Sequence, residues 1–430
     1  MTSTARNDHE ERDRLLELYE ATRIRTEDFA AGLSPEDQQL QSTPETSPTK
    51  WHRAHTTWFF EAFLLEPHGV DAVDARYAFL FNSYYEAQGP RHPRASRGVL
   101  SRPSAAEIGD YRRRVDAEVA RLVRGAGSAE LGRILRVLEL GIAHEEQHQE
   151  LLLTDILHAF SLNPLQPAFL REAAPPPPAS DPLPLRFVPF DGGLCEVGAP
   201  AGSGFAFDNE HPRHKHWLEP FALADRLVTV RELKAFIDAG GYRKPSLWLA
   251  EGFDFVREQG ITSPLHTRYE GEHLETFTLA GRRVPGDDEP AAHLSYYEAD
   301  ALARFLGARL PTEAEWELAA AHQNERGNFA DDGVLRPLPC HRAGGGSPEA
   351  RQIFGDAWEW TSSSYEPYPG YRAPSGALGE YNGKFMVNQV VLRGGSCLTP
   401  RRHVRASYRN FWHPQTRFQM TGLRLARGIS

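Results

Sequence analysis

Residues 129–160 read AELGRILRVLELGIAHEEQHQELLLTDILHAF, and the reading of this stretch decides what the first part of the chain is. Its apolar residues recur at helical spacing on more than one side, so it is expected to be a long helix in the middle of a bundle. Three shorter segments before it carry the same period. Residues 12–29 form a charged amphipathic run, residues 47–65 open on Ser47-Pro-Thr-Lys-Trp51, and residues 105–123 place Tyr111, Val115, Val119 and Leu122 on one side. Ser34-Pro-Glu-Asp37 looks like a further helix start. Four helices with one long loop over residues 67–104 predict a four-helix bundle.

The character of the chain changes after Asn163. Residues 164–186 hold Pro164, Pro167, the run Pro175 to Pro178, Pro182 and Pro184, a composition that favours extended polyproline II and marks a linker. Beyond it, residues 187–430 are rich in glycine and aromatics, with short apolar runs. Two helices stand out there, residues 230–239 ended by Gly240-Gly241 and residues 297–306 ended by Gly307. The rest, including Val390-Val-Leu-Arg-Gly-Gly395, reads as short strands and long loops of an irregular α+β domain. The expected organisation is therefore a bundle over 1–163, a linker over 164–186 and an α+β domain over 187–430.

Composition bounds the function. The chain has 430 residues, 48 Lys and Arg against 58 Asp and Glu, and a formal net charge of −10, which argues against a mainly electrostatic binder of nucleic acid or anionic membrane. Residues 1–20 lack an apolar core of the kind a secretion signal needs, and no run of apolar residues is long enough to span a bilayer. Cys195, Cys340 and Cys397 are too far apart for a disulfide framework or a CxxC motif. A cytoplasmic setting is expected, with neither nucleic acid nor membrane as partner, and a homo-oligomer is left open. With 18 His beside three Cys, imidazole is the first metal ligand to consider.

His144-Glu-Glu-Gln-His148 supplies the first pair. Four residues on a helix return the side chain to within about 40° and one turn along, so both rings can face one ion. The string also satisfies HExxH literally, with Glu145 in the position of a zinc hydrolase's general base. A third ligand is available in Trp51-His-Arg-Ala-His55. His55 falls inside the stripe of Trp51, Trp58, Phe59 and Ala62, whereas His52 falls near its edge. A buried imidazole must be satisfied by a hydrogen bond or an ion. Three neutral imidazoles with open positions suit catalytic zinc with a water, or non-haem iron that accepts substrate and O2; ligand type leaves both open.

Two sets of motifs then resemble a known family. Trp51-His-Arg-Ala-His-Thr-Thr-Trp-Phe-Phe-Glu61 and His144-Glu-Glu-Gln-His148 resemble the N-terminal DinB-like bundle of the ergothioneine-biosynthesis sulfoxide synthases. Phe207-Asp-Asn-Glu-His-Pro212, the segment from Gly307 to Glu317, Gly355-Asp-Ala-Trp-Glu-Trp-Thr361, Leu392-Arg-Gly-Gly-Ser396 and Gly422-Leu-Arg-Leu-Ala426 resemble their second domain. That domain is formylglycine-generating-enzyme-like, a variant of the C-type lectin fold. The resemblance runs over nearly the whole chain and in the same order.

It implies an Fe(2+)- and O2-dependent enzyme that joins the sulfur of a cysteine-type thiol to C2 of hercynine and oxidises that sulfur to a sulfoxide. It implies His55, His144 and His148 as iron ligands. Arg94 and Arg97, in His92-Pro-Arg-Ala-Ser-Arg97, would clamp the thiol substrate's carboxylate, for which a planar guanidinium is well suited. Gln147 and Asn410 match hercynine-contacting positions. The branch that prefers γ-glutamylcysteine carries an aspartate where this chain has Trp412, next to the substrate. Phe81-Asn-Ser-Tyr-Tyr-Glu86 resembles instead a branch that uses free cysteine. Cysteine is therefore the expected thiol, γ-glutamylcysteine the alternative, and Tyr84 and Tyr85 the groups that deliver a proton or an electron during oxygen chemistry.

Glu315, Trp316, Asp356, Trp358, Glu359, Trp360 and Arg393 are expected to hold the second domain together rather than touch substrate. Other functions compete. A zinc hydrolase would need Glu145 to face a metal-bound water. A formylglycine-generating enzyme would need a cysteine pair shortly after Arg393-Gly-Gly-Ser396, where Cys397 stands alone and Thr399 and Val404 occupy the positions aligned with the pair. An ovothiol-type synthase, which couples cysteine to unmethylated histidine, typically adds a methyltransferase domain that these residues lack.

Overall fold

A computed structural model of the chain describes residues 3–171, 183–270, 273–321, 323–340, 350–375, 379 and 381–429. It contains two compact units, Met1–Leu165 with Ser375–Tyr381, and Gln166–Pro374 with Asn382–Ser430. Of the proline-rich segment, residues 172–182 lie outside the described residues.

The first unit is helical: α1 Ser3–Ala31, α2 Thr49–Phe60, α3 Tyr77–Phe81, α4 Ala105–Gly125 and α5 Ser128–Leu162. Helices α1, α2, α4 and α5 form the four-helix bundle, and α5 packs on all three of the others. Helix α4 starts where the sequence supplies a cap. The Glu107 amide donates to Ser104 Oγ at 3.2 Å and the Ser104 amide to Glu107 Oε2 at 2.7 Å. Its buried stripe is Ile108, Tyr111, Arg112, Val115, Val119 and Val123, so Val123 rather than Leu122 completes it.

Helix α2 follows Pro48, which cannot donate and so suits the helix entrance. Every residue from Thr49 to Phe60 is buried, and the chain then continues through a wide π turn, Glu61–Leu65. A helix with no solvent face has no edge, which corrects the expected placement of His52: it is 2% exposed. At Ser34 and Asp37 the reciprocal cap forms, with both bonds at 3.1 Å, yet only one 3-10 turn follows, Asp37–Gln39. The polar run from Gln38 to Pro44 offers no apolar face to bury, so the cap has no helix to start.

Gly141 sets the spacing of α2 and α5. A Cβ built there would lie 2.3 Å from the ring of Phe60, which has no exposure. Gly141 lies one turn before His144, so this approach also fixes the distance between the histidines of the two helices.

The second unit is built of short strands in four small sheets. In chain order they are β1 Phe187–Phe190, β2 Gly193–Val197, β3 His214–Leu218, β4 Phe221–Ala224, β5 Thr267–Glu270, β6 His273–Thr278, β7 Gly281–Arg283, β8 Trp358–Ser364, β9 Val390–Arg393, β10 Asn410–Trp412, β11 Thr421–Gly422 and β12 Ala426–Gly428. The sheets run β1-β4-β12, β2-β3, β5-β6-β7 and β10-β9-β8-β11. Only β8 and β11 pair in parallel; the other described pairs are antiparallel. The helices are α6 Val230–Asp238, α7 Ala250–Glu258, α8 Tyr296–Phe305 and α9 Glu313–Ala320. Helices α7 and α9 were not expected. For α9 a signal was present, because Thr312 and Glu315 form a capping box.

Buried ion pairs take the structural part assigned to the recurrent motifs. Arg424 donates to Glu359 at 2.8 Å, Arg409 to Glu313 at 2.7 Å, and Arg393 to Glu317. Trp316 Nε1 donates to Glu359 at 2.8 Å, and Trp360 Nε1 to the Leu294 carbonyl at 2.9 Å. Among the described residues no helix is long and apolar enough to cross a membrane.

Replacing Gly141 by alanine should destabilise the bundle. Overpacking of a tight core costs about 1–3 kcal/mol and outweighs the roughly 1 kcal/mol that alanine gains in a helix. Thermal unfolding of Gly141→Ala should give a lower Tm and weaker metal binding; a raised Tm would show that the Phe60 contact is not limiting.

Candidate metal centre

His55 on α2 and His144 and His148 on α5 converge. Each offers a ring nitrogen, and these atoms lie within 4.8 Å of one another. The Nε2 atoms of His55 and His144 are 3.2 Å apart. His55 and His144 are buried and His148 is partly exposed.

Burial keeps all three rings neutral. It holds His55 well below its ordinary pKa, with the His144 ring adding to the effect, and it pulls His144 down to about 3. His148 is likewise well below its ordinary value, through burial first and His144 next. Neutral imidazoles carry the lone pairs a metal needs. His55 is also oriented: its Nδ1 donates to the Phe81 carbonyl at 2.6 Å, which leaves the Nε2 lone pair facing the cluster.

Glu145 is not available to the same centre. It has no exposure and accepts from Arg23 at 2.7 Å, Arg112 at 2.9 Å and Thr26 at 2.6 Å. Burial alone would raise its pKa, but the two guanidiniums hold it at about 2. A carboxylate turned toward α1 and α4, with both oxygens already taken by Arg23, Arg112 and Thr26, is not placed to act as a base for water at the histidines, which removes the zinc-hydrolase reading.

Around the histidines the long loop supplies side chains. Asn82 Oδ1 accepts the Tyr85 amide at 3.0 Å and its Nδ2 donates to the Tyr85 carbonyl at 2.9 Å, which fixes the turn that carries Tyr84 and Tyr85. The two hydroxyls are 3.3 Å apart, and Tyr85 has no exposure. Arg97 is 2% exposed and donates to Ser47 at 2.8 Å and Ser83 at 3.2 Å. Its Nε has no acceptor, and among the described residues no carboxylate pairs with it. Burial first, and then the nearby Arg94, lower its pKa. The guanidinium lies 3.4 Å over the Trp51 ring, which itself stacks on His55 with centroids 4.6 Å apart. Arg94 is exposed and donates to the Glu45 carbonyl.

Tyr381 joins this site unannounced by the sequence. Its hydroxyl donates to Gln147 Oε1, its ring lies 5.6 Å from His144 and 6.3 Å from Tyr84, and it is 6% exposed. It is 234 residues from Gln147, and no local pattern marks it. Asn410 and Trp412 lie on β10 of the second unit, Asn410 opposite Leu392 and Trp412 opposite Val390.

Comparison with known proteins agrees with both units. Residues 18–152 match the DinB superfamily, and residues 176–348 and 347–429 match the sulfatase-modifying factor enzyme 1-like domain. A hercynine oxygenase of Mycolicibacterium thermoresistibile is 32% identical over 426 residues, covering 90% of this chain and 88% of that protein. One of Mycobacterium tuberculosis is 32% identical over 408 residues, covering 90% and 92%. The chain belongs to the hercynine oxygenase family. It is an oxidoreductase by that membership. A formylglycine-generating enzyme of Streptomyces coelicolor is also similar, 30% identical over 264 residues, but covers only 53% of the chain. Cys397 is buried and in no disulfide, and Thr399 and Val404 stand at the positions expected for that enzyme's cysteine pair. The hercynine oxygenases are matched across the bundle as well, where the histidines are. Three neutral imidazoles gathered in this way could hold a divalent transition metal and leave coordination positions open.

The neutral cluster sets a pH dependence. The unfolded chain takes up protons on histidine as pH falls through about 6.5, while the folded rings resist protonation down to about 3 for His144. Stability of metal-free protein should thus be full above pH 6.5 and decline below it, by up to about 1.4 kcal/mol per pH unit for each histidine. Calorimetry of chelator-treated protein should show this decline, with a shallower slope for His144→Gln. Identical slopes would contradict a buried neutral cluster.

Proposed function

We propose that this protein joins the sulfur of cysteine to C2 of the hercynine imidazole and leaves it as a sulfoxide, with Fe(2+) at His55, His144 and His148 and O2 as oxidant. One thiol, one imidazole C–H and one O2 enter; one sulfoxide and one water leave, and the S–H and C–H hydrogens end in the water. The observation that carries this reading is the convergence of the three histidines in a chain whose hercynine oxygenase relatives cover 90% of it. Iron bound there would supply redox chemistry with open positions for a soft thiolate and for O2.

The protein's own residues bind and position. Arg97 is a buried cation that feels the charge of Asp155 but forms no ion pair among the described residues and leaves its Nε without an acceptor, an arrangement that a substrate carboxylate would complete. It is assigned, with Arg94, to the cysteine carboxylate. Gln147 is assigned to hercynine; Asn410 is assigned to it, and Trp412 to the thiol substrate, on the sequence resemblance alone. Tyr84, Tyr85 and Tyr381 form a run of neighbouring phenols, the Tyr84 hydroxyl 3.3 Å from that of Tyr85 and the Tyr84 ring 6.3 Å from that of Tyr381. They are assigned the delivery of protons or electrons, which a phenol can do. The tyrosine pair and Trp412 support cysteine over γ-glutamylcysteine.

Protein loaded anaerobically with Fe(2+) and given air, hercynine and cysteine should yield a sulfoxide adduct by mass spectrometry. Conversion of γ-glutamylcysteine alone would reassign the thiol, and no adduct with either would contradict the proposal. Arg97→Met should raise the KM for cysteine by about 10- to 150-fold, the equivalent of one charge-assisted hydrogen bond, with little change in the KM for hercynine. Tyr→Phe replacements at 84, 85 and 381 should shift the ratio of coupled product to simple oxidised thiol; unchanged ratios in all three would remove the tyrosines from the chemistry.

A further inference from the structure

We propose that His52 and Asp155 form an outer pair that sets the tautomer and orientation of His148, and that they are positioning residues for the metal centre. The proposal rests on reading His55, His144 and His148 as that centre. His148 and Asp155 sit two turns apart on α5, and His52 of α2 bridges them. Its Nε2 lies 3.0 Å from Asp155 Oδ2, and its Nδ1 lies 2.8 Å from His148 Nδ1. His52 is 2% exposed and Asp155 7% exposed.

The hydrogen-bond roles follow from the end of the chain. Asp155 Oδ2 also accepts the Ser47 amide at 2.7 Å, so it is held in place as an acceptor. A carboxylate can only accept, so the bond to Asp155 is made by the tautomer with its proton on Nε2, in which Nδ1 of His52 is an acceptor. Two acceptors cannot face each other at 2.8 Å. The proton between the rings therefore belongs to His148 Nδ1, and the lone pair of His148 is on Nε2, free for a metal.

The three histidines are thus oriented by different means. For His55 the Phe81 carbonyl holds Nδ1. For His144, Nδ1 is buried without a hydrogen-bond partner among the described residues, so packing alone orients it. For His148, the ligand with partial exposure, a carboxylate acts through a second imidazole. The hydrogen bond from His52 Nε2 to Asp155 strengthens Nδ1 of His52 as an acceptor, which makes His148 a more basic ligand.

Co²⁺ titration of the full chain, followed by its visible absorption, tests this without reference to catalysis. His52→Leu should weaken Co²⁺ binding by about 10- to 100-fold, the usual effect of losing such a partner. His52→Gln should restore it to within a few-fold of the parent, because one amide can accept from His148 and donate to Asp155. Leucine binding as tightly as the parent, or glutamine as weakly as leucine, would overturn the pair. If His52→Leu does not fold, ¹⁵N chemical shifts of histidine in the metal-free parent at neutral pH decide. His148 protonated on Nδ1 and His52 on Nε2 support the pair, while His148 protonated on Nε2, or a doubly protonated His52, overturns it. A parent that binds no Co²⁺ would overturn the metal centre itself and the pair with it.

Discussion

The carboxylate of Glu145 is the interaction on which the bundle turns. It follows His144 directly, has no exposure, and receives Arg23 and Thr26 from α1 and Arg112 from α4. Arg23 in turn reaches Asp116 at 2.7 Å and Thr57 at 2.8 Å, so three other helices are tied to one position of α5. Removing one member of such a buried network costs about 3–5 kcal/mol, because the remaining charge has no water to return to. With Glu145 fixed toward α1 and α4, the rotation of α5 is fixed, and His144 and His148 are delivered toward α2. The letters of HExxH are present, but the glutamate serves the fold.

Two features of the same unit are unsatisfied in opposite senses. The histidine cluster gathers lone pairs where burial forbids protons. Arg97 carries a charge that forms no ion pair among the described residues. Trp51 lies between them, stacked on His55 on one side and under the guanidinium on the other. A metal cation completes the first and a substrate carboxylate the second, so binding energy is available at both without rearranging the core.

The four-helix bundle was legible because α1, α4 and α5 carry long periodic stripes, and His55, His144 and His148 because two of them share a helical turn and the third sits in an apolar stripe. His52 was misplaced because α2 is buried on every side, and a wheel assigns faces only to helices that have one. Tyr381 was invisible: its place in the first unit depends on a short segment, Ser375–Tyr381, that joins it from far along the chain. Helix α9 was readable from Thr312 and Glu315 but is only two turns long and lies among loops. In the second unit, short strands in four small sheets give little period to detect, although the motif arginines and glutamates do form buried pairs as their sequence context suggested.

Anomalous diffraction at the iron edge, from crystals of the full chain loaded anaerobically with Fe(2+), tests the central claim most directly. One strong peak within bonding distance of the ring nitrogens of His55, His144 and His148, with no carboxylate of Glu145 among its ligands, is the predicted result. Iron bound elsewhere, or held by Glu145, would contradict it.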